Sequence, residues 1–368
     1  MTGASGTAEA MRLLGDVLAS MPDPAGTAQC RALEAELAAA SGTGHAVAVS
    51  SGTAALHTAL AACGIGAGDE VLIPAFTVVM TVAAVAATGA RPVLVDAAPG
   101  GQFTDLDDLA AKITARSRAI LPVHFAGRTG DMDALLELAA SRGLPVIEDA
   151  CQAQGSRYRG RLAGTLGLAG CFSLKDGKII SCGEGGYLLT SDPAIAARAA
   201  AFRNHGLAPG ARPQARTALG LNYRLAEPLA AIARTDLAGL DEAIARRRRQ
   251  TQLLSSLTGT VDGLDPLPAP LDEQSNGYAA LWLISRGKPR GLSEHLAACG
   301  VPNSTGSFGF RAASAEPACR NLRLNACPHA EAAADRILAV PVTSRISDEQ
   351  IAGMAAIIRR EAQRWEPC

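Results

Sequence analysis

The stretch HAVAVSSGTAALHTALAACGIGAGDEVLIPAFTVVMTVAAVAATGARPVLVDA, residues 45–97, decides the fold. It opens with a short apolar strand at 45–51, and TAALHTALAACG follows as a helix stopped by Gly64. GAGDEVLIPA gives a turn and a strand at 70–74, a second helix covers 78–88 and ends at Gly89, and RPVLVDA supplies a third strand. The alternation continues downstream: TDLDDLAAKIT reads as a helix capped by Thr104, RAILPVHFAG as a strand, DMDALLELAASRG as a helix and LPVIEDA as a strand. Upstream, 27–40 carries apolar residues at helical spacing. Repeated strand–helix units predict an α/β domain with a mostly parallel sheet, helices on both faces and ligands at the carboxyl ends of the strands.

Further along, short strands and glycines over 164–190 suit a folded-over active-site segment, and long helical patterns follow at 193–204 and 224–250. The last third is mixed: LWLIS reads as a strand, GLSEHLAACG and SDEQIAGMAAIIRREAQRW as helices. A large domain over 1–237 and a smaller α+β domain over 238–368 are expected, with the extreme N-terminus free to pack on the smaller one.

The whole-chain numbers narrow the function classes. Of 368 residues, 48% are hydrophobic and 19% charged, which excludes a disordered or fibrous chain. With 34 basic and 35 acidic residues, no polyanion-binding surface is indicated, so nucleic acid is not the expected partner. The basic run Arg246 to Arg249 reads as a solvated helix end. Val71 to Ala90 is uncharged, but Pro74, three threonines and Gly89 make it a strand and a buried helix rather than a bilayer span. No membrane partner is expected. The nine cysteines show no CxxC spacing and no histidine at metal distance, so they read as reduced thiols of a cytoplasmic protein with no metal site. The N-terminus lacks a signal-peptide pattern. There are four lysines, Lys112, Lys175, Lys178 and Lys288, so chemistry that needs an amine has few candidates.

Four features fall at strand ends. Ser50-Ser51-Gly52-Thr53 joins a strand to a helix N-terminus, a place for a phosphate or simply for a cap. Glu148-Asp149 ends a buried strand, so a carboxylate faces the crevice as partner of a cationic ring nitrogen, unless it is a turn residue. CFSLKDGKIISCGEGG, 171–186, holds Lys175 and Lys178 in an apolar, glycine-rich setting that suits a Schiff-base amine. Leu221-Asn222-Tyr223-Arg224 places polar groups before a long helix, where Asn222 is otherwise a cap. Phosphate cradle, carboxylate and lysine in that order are what pyridoxal 5'-phosphate requires.

At these residues the chain resembles the DegT/DnrJ/EryC1/StrS family of pyridoxal-phosphate aminotransferases. The matching stretches are AVAVSSGTAAL, GIGAGDEVLIPAFT, GARPVLVD, PVHFAGRTGDMDAL, VIEDACQAQGSRYRGRLAGTLG, CFSLKDGKIISCGEGG, FRNHG and LGLNYRLAEPLAAI, in family order from about 28 to 250. The resemblance implies the aspartate-aminotransferase-like fold (PLP fold type I). It also implies a ping-pong transfer of an amino group from glutamate or glutamine to a keto-sugar or keto-cyclitol, in secondary-metabolite or sugar biosynthesis. By the same resemblance Lys178, six residues after Phe172, is the lysine that forms the cofactor aldimine, and Lys175 lies outside that register. Asp149 keeps the ring nitrogen protonated, Gln152 contacts the 3'-oxygen, and Gly52, Thr53 and Ser173 hold the phosphate. Asn222 reaches the phosphate of a neighbouring subunit, which implies a homodimer with shared active sites.

Two departures stand out. Val78 occupies the position where the family usually stacks an aromatic residue on the cofactor ring, and strand alternation keeps Phe76 from replacing it. The segment 301–320 does not match the family stretch that helps form the acceptor site. His205, Arg203, Tyr158 and Arg224 are candidates to line the substrate cleft. Two other readings remain: a cofactor-binding protein or partner subunit without transaminase activity, and a dehydratase-like enzyme, which the lysine at 178 opposes.

Overall fold

The computed structural model describes residues 4–20, 27–99, 101, 103–208, 218–267, 270, 272–343 and 346–365. Two helices, α1 (Ala4–Ser20) and α2 (Ala28–Ser41), lead into the alternating region. That region runs β1 (His45–Val49), α3 (Gly52–Ala62), β2 (Glu70–Pro74), α4 (Val79–Ala87), β3 (Arg91–Val95), α5 (Leu106–Lys112), β4 (Ser117–Ile120), α6 (Met132–Ser141) and β5 (Ile147–Asp149). A small hairpin, β6 (Arg157–Tyr158) and β7 (Arg161–Leu162), precedes β8 (Ala169–Ser173) and β9 (Gly186–Thr190). Then come α7 (Pro193–Phe202), α8 (Glu227–Ala238) and α9 (Leu240–Thr258). The remainder is β10 (Leu264–Pro266), β11 (Glu273–Gln274), β12 (Ala279–Ile284), α10 (Pro289–Ala298), β13 (Ser304–Thr305), α11 (Pro328–Arg336), β14 (Ile337–Pro341) and α12 (Asp348–Arg364).

The strands β1-β9-β8-β5 and β4-β2-β3 form two ladders. Parallel bridges Ile120–Val146 and Val123–Asp149 join them into one mixed sheet. Only β9 runs against its neighbours, β1 and β8. Period-2 alternation then decides which helix layer each side chain meets. Val47 and Val49 of β1, Cys171 of β8 and Leu188 of β9 pack toward α3 and α4. Ala46, Ala48, Phe172, Tyr187 and Leu189 face the opposite side, against Leu33 and Leu37 of α2 and Ala230 and Ala233 of α8. Leu72, Val93 and Ile120 meet α5 and α6 through Leu109 and Leu135. A second, antiparallel sheet, β10-β12-β14-β13, carries Trp282 and Leu338 against Leu254, Leu292 and Ile351 of α9, α10 and α12.

Several details differ from the sequence reading. Asp105, not Thr104, caps α5: its carboxylate accepts from the N–H groups of Asp107 and Asp108, while Thr104 bridges to Ala97. An acidic cap at a helix N-terminus also meets the positive end of the dipole, which threonine cannot exploit. The continuous helix expected over 224–250 is two helices, because Gly239 (φ −101°, ψ 13°) breaks the run between α8 and α9. Leu13 and Val17 of α1 pack on Ala231 of α8. The uncharged stretch 71–90 divides between β2 and α4, and no described helix is long and apolar enough to cross a membrane.

The eight described cysteines are free. One of them does have a histidine at metal-ligand distance, contrary to the spacing argument. His295 of α10 and Cys299, which caps that helix, lie with Glu361 of α12 so that their ligand atoms are within 4.8 Å of one another. His295 Nε2 meets Glu361 Oε2 at 2.8 Å, a contact that ties α10 to α12.

Candidate active site

A cavity of about 320 Å³ opens at the carboxyl ends of β1, β5 and β8. Gly52, Thr53, Val78, Asp149, Gln152, Ser173 and Lys178 all line it, from segments far apart in the chain. The first turn of α3 forms one corner. Ser51 accepts a hydrogen bond from the Ala54 N–H and caps the helix. The leading N–H groups of such a turn lack helical acceptors, so they present a partial positive charge to the cavity. Gly52 is obligatory here: a Cβ would stand 2.8 Å from Cys151 Sγ and 2.9 Å from Ser173 Cβ. Ser173, mostly buried, accepts from the Lys175 N–H at 3.3 Å.

The carboxylate of Asp149 is 3% exposed. Thr81 Oγ1 of α4 donates to its Oδ2 at 2.8 Å, and Thr77 Oγ1 donates to Thr81 at 2.9 Å. The Cys151 N–H donates to Oδ1 at 3.2 Å. None of the ion pairs of the described residues includes Asp149, so this buried carboxyl group faces the cavity without a cationic partner. Burial, and after it the charge of Asp149, push the Cys151 thiol well above its ordinary range, so that wall stays neutral. Gln152 accepts from the Ala126 N–H through Oε1 at 2.7 Å, which leaves its amide nitrogen as a donor. Behind Asp149, Glu148 is fully buried and accepts from His124 Nε2 and from the N–H groups of Gly164, Leu166 and Gly167. It is a structural brace, not a cleft residue.

Lys178 and Lys175, both in the loop between β8 and β9, both line the cavity but differ in burial. Lys175 is exposed, whereas Lys178 is half-buried, and its Nζ donates to Tyr278 Oη at 3.1 Å. The loop is pinned from behind by Arg247 of α9, whose Nη2 donates to the carbonyls of Gly177 (3.2 Å) and Lys178 (3.3 Å). Of the run Arg246 to Arg249, Arg246 and Arg249 are solvated as expected, but Arg247 is buried and the run is not a helix end. It lies inside α9, Arg247 is 3% exposed, and Arg248 donates to the Ser275 carbonyl at 2.6 Å. The face of α9 that turns inward carries guanidinium stems, which apolar patterning does not reveal.

The far wall comes from the C-terminal third: Tyr278, Ser307, Phe308 and Phe310. Sequence reasoning missed Tyr278, Thr81 and Arg247. The Ser-Asn-Gly-Tyr run before β12 was the available signal, since Gly277 has φ +73° and turns the chain toward the cavity. Val78 lies in the cavity wall at the start of α4, while Phe76 is buried against Phe125, with ring centroids 4.8 Å apart. Asn222 does not line this cavity and is exposed. Nor do the four candidate cleft residues line it. Tyr158 donates to Asp131 at 3.1 Å, Arg203 binds Glu34 and the Ala48 carbonyl, Arg224 donates to Asn204 at 2.7 Å, and His205 is exposed at φ 58°. Tyr158 instead lines a neighbouring cavity with Pro74, Pro122 and Val123, the last of which also lines the first cavity.

The strand order, the single reversed strand and the cleft at the carboxyl ends place the protein in the aspartate-aminotransferase-like fold class. Residues 9–359 match the DegT/DnrJ/EryC1/StrS aminotransferase family, and the chain belongs to it. It is an aminotransferase. It is 38% identical over 335 residues to dTDP-3-amino-3,4,6-trideoxy-alpha-D-glucose transaminase of Streptomyces venezuelae, covering 90% of this chain and 86% of that one. It is 36% identical over 280 residues to 3-amino-5-hydroxybenzoate synthase of Amycolatopsis mediterranei, covering 74% and 72%. A crystal structure of 3-amino-5-hydroxybenzoic acid synthase superposes with a TM-score of 0.90 at 30% identity, over 97% of each chain.

Proposed function

We propose that the cavity holds pyridoxal 5'-phosphate on Lys178. The enzyme then moves an amino group from glutamate or glutamine to a keto-sugar or keto-cyclitol in a ping-pong cycle, within a biosynthetic pathway for sugars or secondary metabolites. The observation that carries this reading is the buried, cation-free Asp149 carboxylate in the same cavity as the Lys178 amine. A buried carboxylate that is hydrogen-bonded but lacks a cationic partner is costly in its charged form, and a protonated ring nitrogen would complete it. The glycine-tight first turn of α3 beside Ser173 suits a phosphate, and the free amide of Gln152 suits a ring oxygen. The residues present fit the group.

When bound, that cofactor supplies an aldehyde for the amino group and an electron-withdrawing ring. The chain supplies the rest. Gly52, Thr53 and Ser173 anchor, Asp149 holds the proton on the ring nitrogen, and Thr81 orients Asp149. Lys178 Nζ takes the proton from the donor's α-carbon and later returns one, as general base and then acid. Val78 and the neutral Cys151 make apolar walls that keep water from the reacting carbon.

We further infer a cytoplasmic homodimer with shared sites, since Asn222 is exposed outside its own cavity and is free to face a second copy. The boundary between a 1–237 domain and a 238–368 domain would fall at the Gly239 break. Borohydride reduction of the holoenzyme followed by peptide mass spectrometry tests the central reading. The pyridoxyl mass is expected on Lys178, and its appearance on Lys175 or on no lysine overturns the assignment.

A further inference from the structure

Lys178 Nζ has one hydrogen-bond acceptor among the described residues, the hydroxyl of Tyr278 at 3.1 Å, and it lies 5.0 Å from the centre of that ring. No carboxylate pairs with it among the described ion pairs. The contact joins segments a hundred residues apart, and the phenol is held in place from several directions. The Tyr278 N–H donates to Asn276 Oδ1 at 3.1 Å. Asn276 is fully buried and donates to the carbonyls of Gln152 (2.9 Å) and Gln154 (3.0 Å), so the tyrosine is tied to the strand end that carries Asp149. At Gly127 a Cβ would stand 2.3 Å from Asn276 Oδ1, so that amide has a reserved slot.

The ring itself stands edge-on to Phe308, with centroids 5.2 Å apart at 87°. Phe308 adopts φ 54°, a conformation uncommon for a bulky residue, and packs on Phe125 at 5.5 Å. Gly277 cannot carry a side chain, because a Cβ would meet the Arg247 backbone at 2.6 Å. The same α9 residue pins the Lys178 loop, so one helix fixes both ends of the lysine–tyrosine contact.

From this geometry we infer that Tyr278 is a positioning residue for Lys178: its hydroxyl oxygen holds Nζ at one place in the cavity and steadies the ammonium that forms when Nζ takes up a proton. The inference rests on the role given to Lys178 above. The proton stays on Nζ until it is returned, the phenol keeps its own hydrogen throughout, and no electrons or protons are lost from the pair. A phenol suits this task because it accepts a hydrogen bond from either protonation state without adding a fixed negative charge that would trap the ammonium.

The test is Tyr278→Phe in the full-length holoenzyme, with ordinary and α-deuterated glutamate in single-turnover donor half-reactions. The phenyl ring keeps its packing on Phe308. The expected result is a rate about 10- to 100-fold lower with a larger deuterium isotope effect, because proton transfer becomes limiting. Capture of added pyridoxal 5'-phosphate by the apoenzyme, followed by absorbance without turnover, is expected to slow by about tenfold. Rates and isotope effects within about twofold of wild type overturn the inference, as does a slower rate with an unchanged isotope effect, which lost packing alone would give. If the wild type consumes neither glutamate nor glutamine, or is not labelled on Lys178, the functional reading has failed instead, and that outcome is read before the variant is made, with glutamine and α-deuterated glutamine replacing glutamate where glutamine is the donor.

Discussion

The floor and the far wall of the cavity are built by opposite means. The floor consists of strand ends: Gly52 and Thr53 after β1, Asp149 and Gln152 at β5, Ser173 at β8 and Lys178 beyond it. Each sits within a few residues of a buried strand, so its place follows from local spacing and from the shared direction of parallel strands. The far wall consists of Tyr278, Ser307, Phe308 and Phe310, braced by Arg247, and reaches the cavity only because the second sheet and α9 dock against the first. The difference teaches that the reactive groups are set by secondary structure, while their aim is set by long-range contacts between residues that no sequence pattern links.

The comparison can be broken first at the floor. Lys178→Ala is expected to lower turnover by about 10⁴-fold or more, while Lys175→Ala, which removes an exposed amine at the cavity rim, is expected to cost far less, within about tenfold. Steady-state rates for the two variants decide it, and equal losses would erase the distinction between the lysines. Asp149→Asn keeps the size of the side chain but removes its charge. A loss of about 10²- to 10³-fold in kcat, with weaker cofactor retention on dialysis, is the expected outcome. Retention of wild-type activity would show that no cationic ring nitrogen meets that carboxylate.

The wall answers with smaller numbers. Arg247→Met preserves the length of the stem and spares the cost of burying a cation, but it leaves the Gly177 and Lys178 carbonyls without donors. A fall in kcat of about tenfold is expected, with a thermal midpoint shifted by only a few degrees, on the order of 1 kcal/mol. A large loss of stability with normal activity per folded molecule would make Arg247 a core residue and nothing more. The smallest effect is expected for Val78→Phe. An aromatic ring in that wall adds about 0.5–1.5 kcal/mol of stacking, so the cofactor dissociation constant drops by less than about tenfold. Looser binding would mean that the wall lacks room for a ring.

Much of this was legible because it is periodic or local. The alternation over 45–150 foretells the layered sheet, and the spacing within VIEDACQ and CFSLKDGK puts a carboxylate and an amine at strand ends. Other features were hidden for physical reasons. Arg247 looks solvated in sequence because arginine usually is, yet its position on the inward face of α9 buries it. Thr81 hides in an apolar helix, and its hydroxyl matters only because the first turn of α4 reaches the end of β5, where it donates to Asp149. Tyr158, Arg203, His205 and Arg224 do not line the cavity of Lys178 within this chain, and residue type alone does not say which of two adjacent cavities a side chain such as Tyr158 enters.

What the sequence determined by itself is the alternation of strands and helices and a carboxylate and two lysines near strand ends, because hydrophobic period and motif spacing are properties of neighbouring residues; the choice of Lys178 followed from the family resemblance. Only the tertiary structure decided what each of those groups touches. Lys178 meets Tyr278, Asp149 meets Thr81, and Arg247 turns inward because the free energy of those contacts belongs to the packing of distant segments, and no stretch of chain contains both partners.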